Sequence, residues 1–475
     1  MKVLFINPAV RPDSPKLMLN VGLAYVVSAA ERAGIAFEIL DIDAHRYSDE
    51  EVERRIRTMR FDVAAIGTLV SQYTLVKGIA AMIRQHHPRA VIVVGNTLGT
   101  SVPRLLLEKT EVDVAVRGEG DITAVELFQA VAAGSSLDEV AGICFKRDGE
   151  IVETAPRRAI ACVDDIPFPN YDLFDIDIYL EKSRLIVPAP EKLPIAFDDL
   201  VAMPVSTARG CPFQCNFCYH AFKSLKYRHR SPESICAEIE RWKTKYGANY
   251  VSFWDELSLY DIKSTARLAD LLIEKNLRMF FVGSARSELL DWSKLEVARQ
   301  LRKAGCKGLS FALESGNESI LRAMNKRNHV ADFITQAKVC HEAGLEVYTS
   351  LVFGYPQETP ATIANTFDVC SKARVYPSVG YLQPSPGTPI YEYARQKGYI
   401  GDEELYLMSM GDRQDLRMNL TGMSPDLMEG LIHEHLRALN DELGIGLPES
   451  QLIKTQVYRS ARQDAPVAQA IDSAA

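Results

Sequence analysis

Three cysteines stand within eight positions, Cys211, Cys215 and Cys218, directly after the strand-like segment MPVSTA. Thiolates at spacings of four and three residues can bind three corners of one cubane iron–sulfur cluster. The fourth iron then lacks a protein ligand and stays open to a chelating substrate, as the open position of a catalytic zinc does. The spacing therefore predicts a [4Fe–4S] cluster that takes part in chemistry.

Two simpler interpretations of these cysteines stay open at this point. A structural zinc site needs a fourth ligand, for which His220 is the nearest candidate. Alternatively, the three thiols are close by chance packing alone. The other cysteines are isolated, which is not the pattern of an oxidised secreted scaffold: Cys144, Cys162, Cys236, Cys306, Cys340 and Cys370.

The cysteines open a block in which strands alternate with amphipathic helices. Six βα units predict a partial or full α/β barrel, whose active site lies at the carboxyl ends of the strands. The predicted strands cover residues 203–208, 250–255, 280–285, 308–313, 346–353 and 378–383. Polar residues follow several of these strands, so the sequence predicts that they gather around the cysteines.

The cysteine motif at the end of the first barrel strand resembles that of the radical SAM superfamily. The resemblance implies a (β/α)6 partial barrel whose open iron chelates S-adenosylmethionine (SAM). It also implies that one electron, delivered by a donor such as flavodoxin or ferredoxin, cleaves SAM to a 5′-deoxyadenosyl radical. The residues that the resemblance places at SAM are Phe217, Asp255, Glu256, Ser284, Arg286, Glu314 and Val352.

The implied SAM contacts differ in kind. Phe217 is expected near the adenine, and Asp255 and Glu256 near the amino group. Arg286 is expected to pair with the carboxylate, for which its fork geometry is suited. Each has a simpler alternative. The two acids are otherwise a solvated turn, Arg286 a surface ion pair, and Glu314 a cap of the following helix.

Residues 1–135 also alternate strand-like and helix-like segments. The near-continuous apolar run at 90–96 is typical of a buried parallel strand. The alternation predicts a Rossmann-like, doubly wound parallel sheet, in which ligands lie at the carboxyl ends of the strands. No G-x-G-x-x-G motif follows the first strand, so a dinucleotide site is weakly supported, and a purely structural sheet is the other alternative.

Placed before such a barrel, this block resembles the cobalamin-binding domain of the B12-dependent branch of the superfamily. The resemblance implies that a flat corrin ring approaches small and polar residues at the strand ends. These residues are Asn7, Thr68, Ser71, Tyr73, Gly95, Asn96, Thr97, Arg117, Gly118, Glu119 and Gly120. The amides of residues 117–120 precede a helix and are candidates to hold a phosphate of the cobalamin tail.

The sequence predicts no histidine ligand to cobalt. The segment Asp43-Ala-His45 nearly matches the Asp-x-His-x-x-Gly motif of base-off mutases, but it follows the second strand instead of the first. Ser48 also replaces the Gly of that motif. We therefore expect His45 to be a loop residue, and the lower face of cobalt to meet the loop 68–74, with Tyr73 as the best candidate.

Five segments are predicted: a Rossmann-like domain at 1–135, a hairpin and Pro-rich linker at 136–200, the barrel at 201–400, a helical region at 401–455 and a disordered tail at 456–475. The net charge of −8 gives no electrostatic case for nucleic acid. No apolar run of about 18 residues and no signal peptide is apparent, so we expect a cytoplasmic protein without a membrane span.

Together these features imply a B12-dependent radical SAM enzyme acting on a small molecule. The expected reaction is methylation of an unactivated carbon, with methylcobalamin holding the methyl group. Ring formation or rearrangement without methyl transfer is the alternative within this branch, and a methylthiotransferase is the rival enzyme outside it. A non-catalytic cobalamin- or SAM-binding sensor is the alternative of another class. We expect the reaction cavity to lie between the two sheets, roofed by residues 171–200 and the helical tail.

Overall fold

The computed structural model describes residues 1–219, 222 and 225–453. The tail 456–475 and the zinc-ligand candidate His220 lie outside the described residues. The strands are β1 Lys2–Asn7, β2 Ala36–Asp41, β3 Val63–Gly67, β4 Val91–Gly95, β5 Val114–Val116, β6 Ile143–Arg147, β7 Glu150–Glu153, β8 Ala202–Val205, β9 Ala208–Arg209, β10 Arg228–His229, β11 Tyr250–Phe253, β12 Phe280–Ser284, β13 Cys306–Ser310, β14 Glu346–Tyr348, β15 Ser350–Phe353 and β16 Ser378–Tyr381.

The helices of the described chain surround these strands in the order that the sequence alternation predicts. They are α1 Val21–Arg32, α2 Ile42–His45, α3 Asp49–Thr58, α4 Tyr73–His86, α5 Asn96–Ser101, α6 Pro103–Lys109, α7 Gly120–Ala133, α8 Ile176–Ser183, α9 Pro232–Tyr246, α10 Ile262–Glu274, α11 Leu295–Lys303, α12 Glu318–Ala323, α13 Val330–Glu342, α14 Pro360–Ala373, α15 Pro389–Gln396, α16 Glu403–Ser409 and α17 Pro425–Leu443.

The N-terminal block forms a seven-stranded sheet in the order β2-β1-β3-β4-β5-β6-β7, with β1 to β5 parallel. Helices cover both faces, which explains the continuous apolar run of β1. Val3 and Phe5 pack in the core that contains α1 and α7. Leu4 and Ile6 pack in the core that contains α3 and α4. The predicted doubly wound sheet is confirmed.

The predicted hairpin is β6 and β7, which turn at Asp148 and Gly149, both with positive φ (50° and 83°). β6 pairs antiparallel with β5, with Val114 opposite Phe145. The hairpin therefore extends the edge of the first sheet, and that sheet continues through Glu153.

The Pro-rich segment after the hairpin connects the two sheets. Within this segment, Tyr179 of α8 donates its hydroxyl to Asp41, at the end of β2, at 2.9 Å. Farther along, Val187 packs against Tyr250 at the amino end of the barrel strands. The second half of the segment 171–200 thus packs apolar side chains against the amino end of the barrel, and only its residue Ile186 also lines the cavity that the segment was expected to roof.

The second block is a partial barrel whose strands follow one another in chain order. β8, β11, β12, β13 and β14 form one parallel sheet, and β15 pairs parallel with β16. β14 and β15 are two parts of the predicted strand 346–353, interrupted at Thr349, whose hydroxyl donates to Phe311 O at 2.9 Å. A bridge between Glu314 and Leu351 links β15 back to the chain after β13. The (β/α)6 architecture is confirmed.

Helix boundaries in the barrel follow local capping chemistry, as α9 illustrates. Ser231 precedes the helix, and its hydroxyl accepts from Ser234 N. Pro232 opens the first turn, where its missing N–H costs nothing. Gly247 ends the helix at φ 69°, a left-handed position that favours glycine.

The C-terminal region is helical, as predicted. α17 packs on α14 of the barrel, whereas α16 packs on α4 of the first sheet. Between them, the backbone of Arg413 lies beside β16 and accepts from Tyr381 N at 2.6 Å, so the free edge of that strand is covered. None of the helices in the described part of the chain is long and apolar enough to cross a membrane.

Candidate active site

The three cysteines lie on the loop that leaves the first barrel strand. Gly210, at φ 88°, turns the chain out of the short β9–β10 pair into this loop. The middle of the loop is held by Asn216, whose backbone N donates to Met324 O and whose Nδ2 donates to Ala323 O, both at 2.8 Å. The loop is therefore fixed to the end of α12, at the carboxyl end of the barrel.

The cysteines themselves are half-buried thiols without a disulfide. Burial raises the pKa of the Cys211 thiol, and the nearby Arg286 guanidinium opposes that shift. Among the described residues, no group of three or more Cys, His, Asp or Glu side chains could hold a single metal ion. A cubane cluster places its thiolate ligands on separate irons, and three accessible thiols on one loop fit that requirement.

The predicted adenine side of the SAM site is apolar. Phe217 makes an edge-to-face contact with Tyr355, with 6.4 Å between the ring centroids. Val352 is buried in the same apolar cluster, beside Leu382. These surroundings suit a flat purine ring better than a charged group.

The two acidic residues after the second barrel strand, Asp255 and Glu256, lie in different surroundings. Asp255 accepts from Ser206 Oγ at 2.7 Å and from Thr207 N at 2.5 Å, and burial raises its pKa. It thus holds the segment between β8 and the cysteine loop, so the alternative of a solvated turn does not apply to it. Glu256 is exposed. On the next strand, the backbone N of Ser284 donates to Ser258 Oγ at 2.8 Å.

Arg286 packs on the cysteine loop. Its guanidinium carbon lies 3.9 Å from the ring centroid of Phe213. One terminal nitrogen, Nη2, donates to Arg327 O at 2.9 Å, whereas Nε is 3.4 Å from Glu288. The alternative of a surface ion pair explains the long contact of Arg286 with Glu288, but not its contacts with Phe213 and Arg327. The stacked planar fork beside the cysteines suits a carboxylate ligand.

Glu314 is buried in a left-handed conformation, with φ 62°. Its carboxylate accepts from Lys326 Nζ at 2.8 Å, and both side chains are less than a tenth exposed. It does not cap the next helix, because Asn317 does so by accepting from Ser319 N and Ile320 N. Sequence reasoning did not identify Lys326 as the partner of Glu314. The one feature of the sequence that points to it is its position shortly after α12.

A cavity of about 670 Å³ lies at the carboxyl ends of the first sheet. Six of the predicted cobalamin contacts line it: Asn7, Thr68, Gly95, Asn96, Gly118 and Gly120. Thr68 Oγ1 is buried and has no hydrogen-bond partner in the described part of the chain. Gly118 adopts φ 74°, a conformation that most side chains disfavour. An unpartnered hydroxyl and a wall of glycine backbone fit a large flat ligand such as cobalamin.

The structure places the other five predicted contacts off the cavity: Ser71, Tyr73, Thr97, Arg117 and Glu119. Tyr73 is fully buried in the sheet's core, and its hydroxyl donates to Glu404 of α16 at 2.7 Å. Thr97 Oγ1 accepts from Val70 N at 2.9 Å, on the turn that also contains Ser71. Tyr73 therefore does not fit the lower face of cobalt, and the residues of the loop 68–74 that line the cavity are Thr68 and Leu69.

The side chains of Arg117 and Glu119 point in different directions because each forms an ion pair with a different part of the protein. Arg117 pairs with Glu153 of the hairpin. Glu119 instead contacts the barrel, with its carboxylate 3.1 Å from Arg209 Nη1 and 2.8 Å from Arg228 Nη1. The predicted phosphate site was formed by the amides of 117–120, and two of these amides already donate within the protein, from Arg117 to Gly142 O at 2.8 Å and from Gly118 to Thr100 Oγ1 at 3.1 Å.

His45 also lies off the cavity, at the end of the short helix α2. Its Nε2 is 2.6 Å from Asp175, and its ring stacks on Tyr47 at 4.8 Å between centroids. Asp43 does line the cavity, and burial raises the pKa of its carboxyl to about 6. No described histidine is among the residues lining the cavity.

Sequence reasoning placed the cavity between the two sheets but did not name the barrel residues that line it. Residues on its barrel side are Ser206, Ala208, Arg209, Phe222 and Trp254. The signal was present, since Arg209 stands two residues before Cys211 and Trp254 precedes Asp255. It also missed residues 10–20 of the loop after β1, several of which line the cavity and which Arg46 holds by donating to Lys16 O at 3.0 Å.

Comparisons with known proteins agree with this geometry. The model of the radical SAM superfamily matches residues 205–370, and the model of the B12 binding domain matches residues 11–128. The chain belongs to the radical SAM enzymes that carry a B12-binding domain. Its cofactors are accordingly SAM, a [4Fe–4S] cluster and cobalamin.

Relatives share this arrangement over most of their length. An uncharacterized methyltransferase of Pyrococcus horikoshii, PH0819, is 26% identical over 401 residues, which is 83% of each chain. The anaerobic magnesium-protoporphyrin IX monomethyl ester cyclase of Cereibacter sphaeroides is 24% identical over 86% of this chain and 66% of its own. The radical SAM methyltransferase TsrM of Kitasatospora setae, solved with cobalamin and a [4Fe–4S] cluster, shares the fold, with a TM-score of 0.65 at 18% identity over 83% of this chain and 78% of that one.

Proposed function

We propose that this enzyme methylates an unactivated carbon of a small molecule. The observation that carries the proposal is that one cavity is lined by both domains, with Thr68 and Asn96 from the first sheet and Arg209 and Trp254 from the barrel. When bound, the reduced cluster supplies the electron that cleaves SAM, and cobalamin supplies the methyl group. The chain's own residues hold the reacting groups against one another in a shared cavity.

The roles of individual residues follow from their surroundings. We propose that Cys211, Cys215 and Cys218 hold the cluster and that Arg286 and Phe217 bind the carboxylate and adenine of SAM. We propose that Asp255 orients the segment that leads into the cysteine loop, through its hydrogen bonds with Ser206 and Thr207.

The cobalamin contacts that we propose are those that line the cavity: Asn7, Thr68, Gly95, Asn96, Gly118 and Gly120. Since no described histidine lines the cavity, we propose that cobalt takes no histidine ligand from these residues. We also propose a cytoplasmic setting, where a reduced flavodoxin or ferredoxin delivers the electron.

The proposal is tested by anaerobic reconstitution with iron, sulfide and hydroxocobalamin, followed by reduction in the presence of SAM. Mass spectrometry should detect both 5′-deoxyadenosine and S-adenosylhomocysteine, because SAM serves as radical source and as methyl donor. Cys215→Ala should abolish 5′-deoxyadenosine formation, whereas Cys162→Ala, an exposed cysteine on the linker, should leave it unchanged.

The cyclase relative makes ring formation the alternative that the same experiment separates. 5′-Deoxyadenosine with bound cobalamin but without S-adenosylhomocysteine would favour a radical rearrangement over methyl transfer. Failure to retain cobalamin in a folded sample would contradict the assignment of the cavity and leave the barrel chemistry intact.

A further inference from the structure

A buried ion-pair cluster joins the first sheet to the cysteine loop. Asp121, in the first turn of α7, accepts from both terminal nitrogens of Arg209, at 2.7 and 2.9 Å. Glu119, just before that helix, lies 3.1 Å from Arg209 and 2.8 Å from Arg228. Two acids of the B12-binding sheet thus hold two arginines of the barrel.

The cluster is too enclosed to be an ordinary surface contact. All four side chains are at most 12% exposed, and the two negative charges balance the two positive ones. The Arg209 guanidinium also lies 5.3 Å from the ring centroid of Tyr25 on α1. A charge buried to this degree requires its partner, so the four residues form one unit.

The position of this unit connects two sites that are otherwise separate. Arg209 is on β9, and Gly210 and Cys211 follow it directly. Arg228 is its partner on β10, so both strands at the base of the cysteine loop are held. Asp121 and Arg209 also line the cavity of the first sheet. A ligand that fills this cavity therefore contacts the same ion pair that anchors the cysteine loop.

We propose that Glu119, Asp121, Arg209 and Arg228 couple occupation of the cobalamin cavity to the conformation of the cysteine loop. Glu119 and Asp121 are positioning residues that act through the two arginines and contact no reacting atom. The inference rests on the proposed function, because it takes the cavity as the cobalamin site and the loop as the cluster site. It adds that a ligand in the cobalamin cavity changes the conformation of the loop that holds the cluster.

The experiment is hydrogen exchange followed by mass spectrometry on the cluster-loaded full chain, with and without hydroxocobalamin. In the natural sequence, hydroxocobalamin should slow amide exchange in the peptide that spans residues 208–218. Asp121→Asn keeps the shape of the side chain but removes its charge. At a hydroxocobalamin concentration that saturates this variant, we expect it to lose most of the protection that the ligand confers on that peptide.

Three further variants make the result decisive. Glu119→Gln should lose the protection in the same way, and Arg209→Lys, which keeps the charge without the fork, should lose part of it. Asp138→Asn breaks the exposed ion pair with Arg147 on the same sheet and should retain all of it. A purely structural role would change exchange equally with and without hydroxocobalamin.

The proposal is overturned if hydroxocobalamin protects the loop in both acid variants as it does in the natural sequence. It is also overturned if the ligand binds the natural sequence without changing exchange at 208–218. Failure of the proposed function has a different signature, because it is the absence of S-adenosylhomocysteine or of bound cobalamin in the natural sequence itself.

Discussion

The carboxyl ends of the two parallel sheets are built in opposite ways. At the ends of its central strands, the first sheet presents backbone to the cavity at Gly95 and Gly118, and the charged neighbour Arg117 is turned away into an ion pair. The barrel end instead presents charged side chains that are already engaged, as Asp255 is with two donors and Glu314 with Lys326.

The difference shows what each end is suited to hold. A flat, bulky ligand needs room and close approach to backbone, which glycine supplies. A small chelating ligand needs a rigid frame around its metal, and buried charges with fixed partners supply one. In the first site, glycine leaves room for a bulky ligand. In the barrel site, buried charged side chains with fixed partners form a rigid frame.

The largest predicted effect tests the paired charges of the barrel. Lys326→Met leaves the buried Glu314 carboxylate without its cation and should lower the free energy of unfolding by about 3–5 kcal/mol. The double variant with Glu314→Gln should recover most of that loss, and Asp138→Asn on the first sheet should cause none. Urea denaturation of the protein without cofactors measures all three. A loss within error for Lys326→Met would contradict the frame that we assign to this end.

Much of the fold could be predicted because it depends on short-range pattern. Apolar runs such as 90–96 and the spacing of the cysteines need no tertiary information, and both sheets formed where these patterns indicated. Local turn chemistry also sufficed at Asp148 and Gly149, where the hairpin turns.

Side-chain roles could not be predicted with the same success, since they depend on partners distant in sequence. Arg117 and Glu119 differ by two positions, yet one pairs with Glu153 and the other with Arg209 and Arg228. No local pattern distinguishes them, so both were assigned to cobalamin. The orientation of each was decided by where its opposite charge lay after folding.

The next effect concerns pH at the barrel end. Glu358 is buried beside Gly354, whose N donates to Oε2 at 2.8 Å, and burial raises the pKa of this carboxyl to about 7. Its folded pKa exceeds its unfolded one, so the stabilising contribution is complete below the unfolded pKa and is lost as pH rises through about 7. The loss should be about 3 kcal/mol, since one pKa unit corresponds to about 1.4 kcal/mol.

Glu358→Gln checks this effect, because an amide does not titrate. Urea denaturation across this pH range should give a smaller fall in the free energy of unfolding for the variant than for the natural sequence. Since all other titrating groups are shared, the difference between the two curves isolates this carboxyl. Parallel curves would show that Glu358 is ionised in the folded protein and would weaken the view of a closed barrel end.

The smallest predicted effect tests the open end of the first sheet. Thr68→Val removes a buried hydroxyl that has no partner among the described residues, so the protein without cobalamin should become more stable by roughly 1 kcal/mol. If the hydroxyl bonds to cobalamin, the same change should weaken hydroxocobalamin binding roughly tenfold. Thr265→Val on α10 removes another buried hydroxyl that has no partner in the described part of the chain; it lies outside the cavity, so the change should raise stability without affecting binding. Equal affinities for the two variants would mean that Thr68 only lines the cavity, and the first end would then recognise its ligand by shape alone.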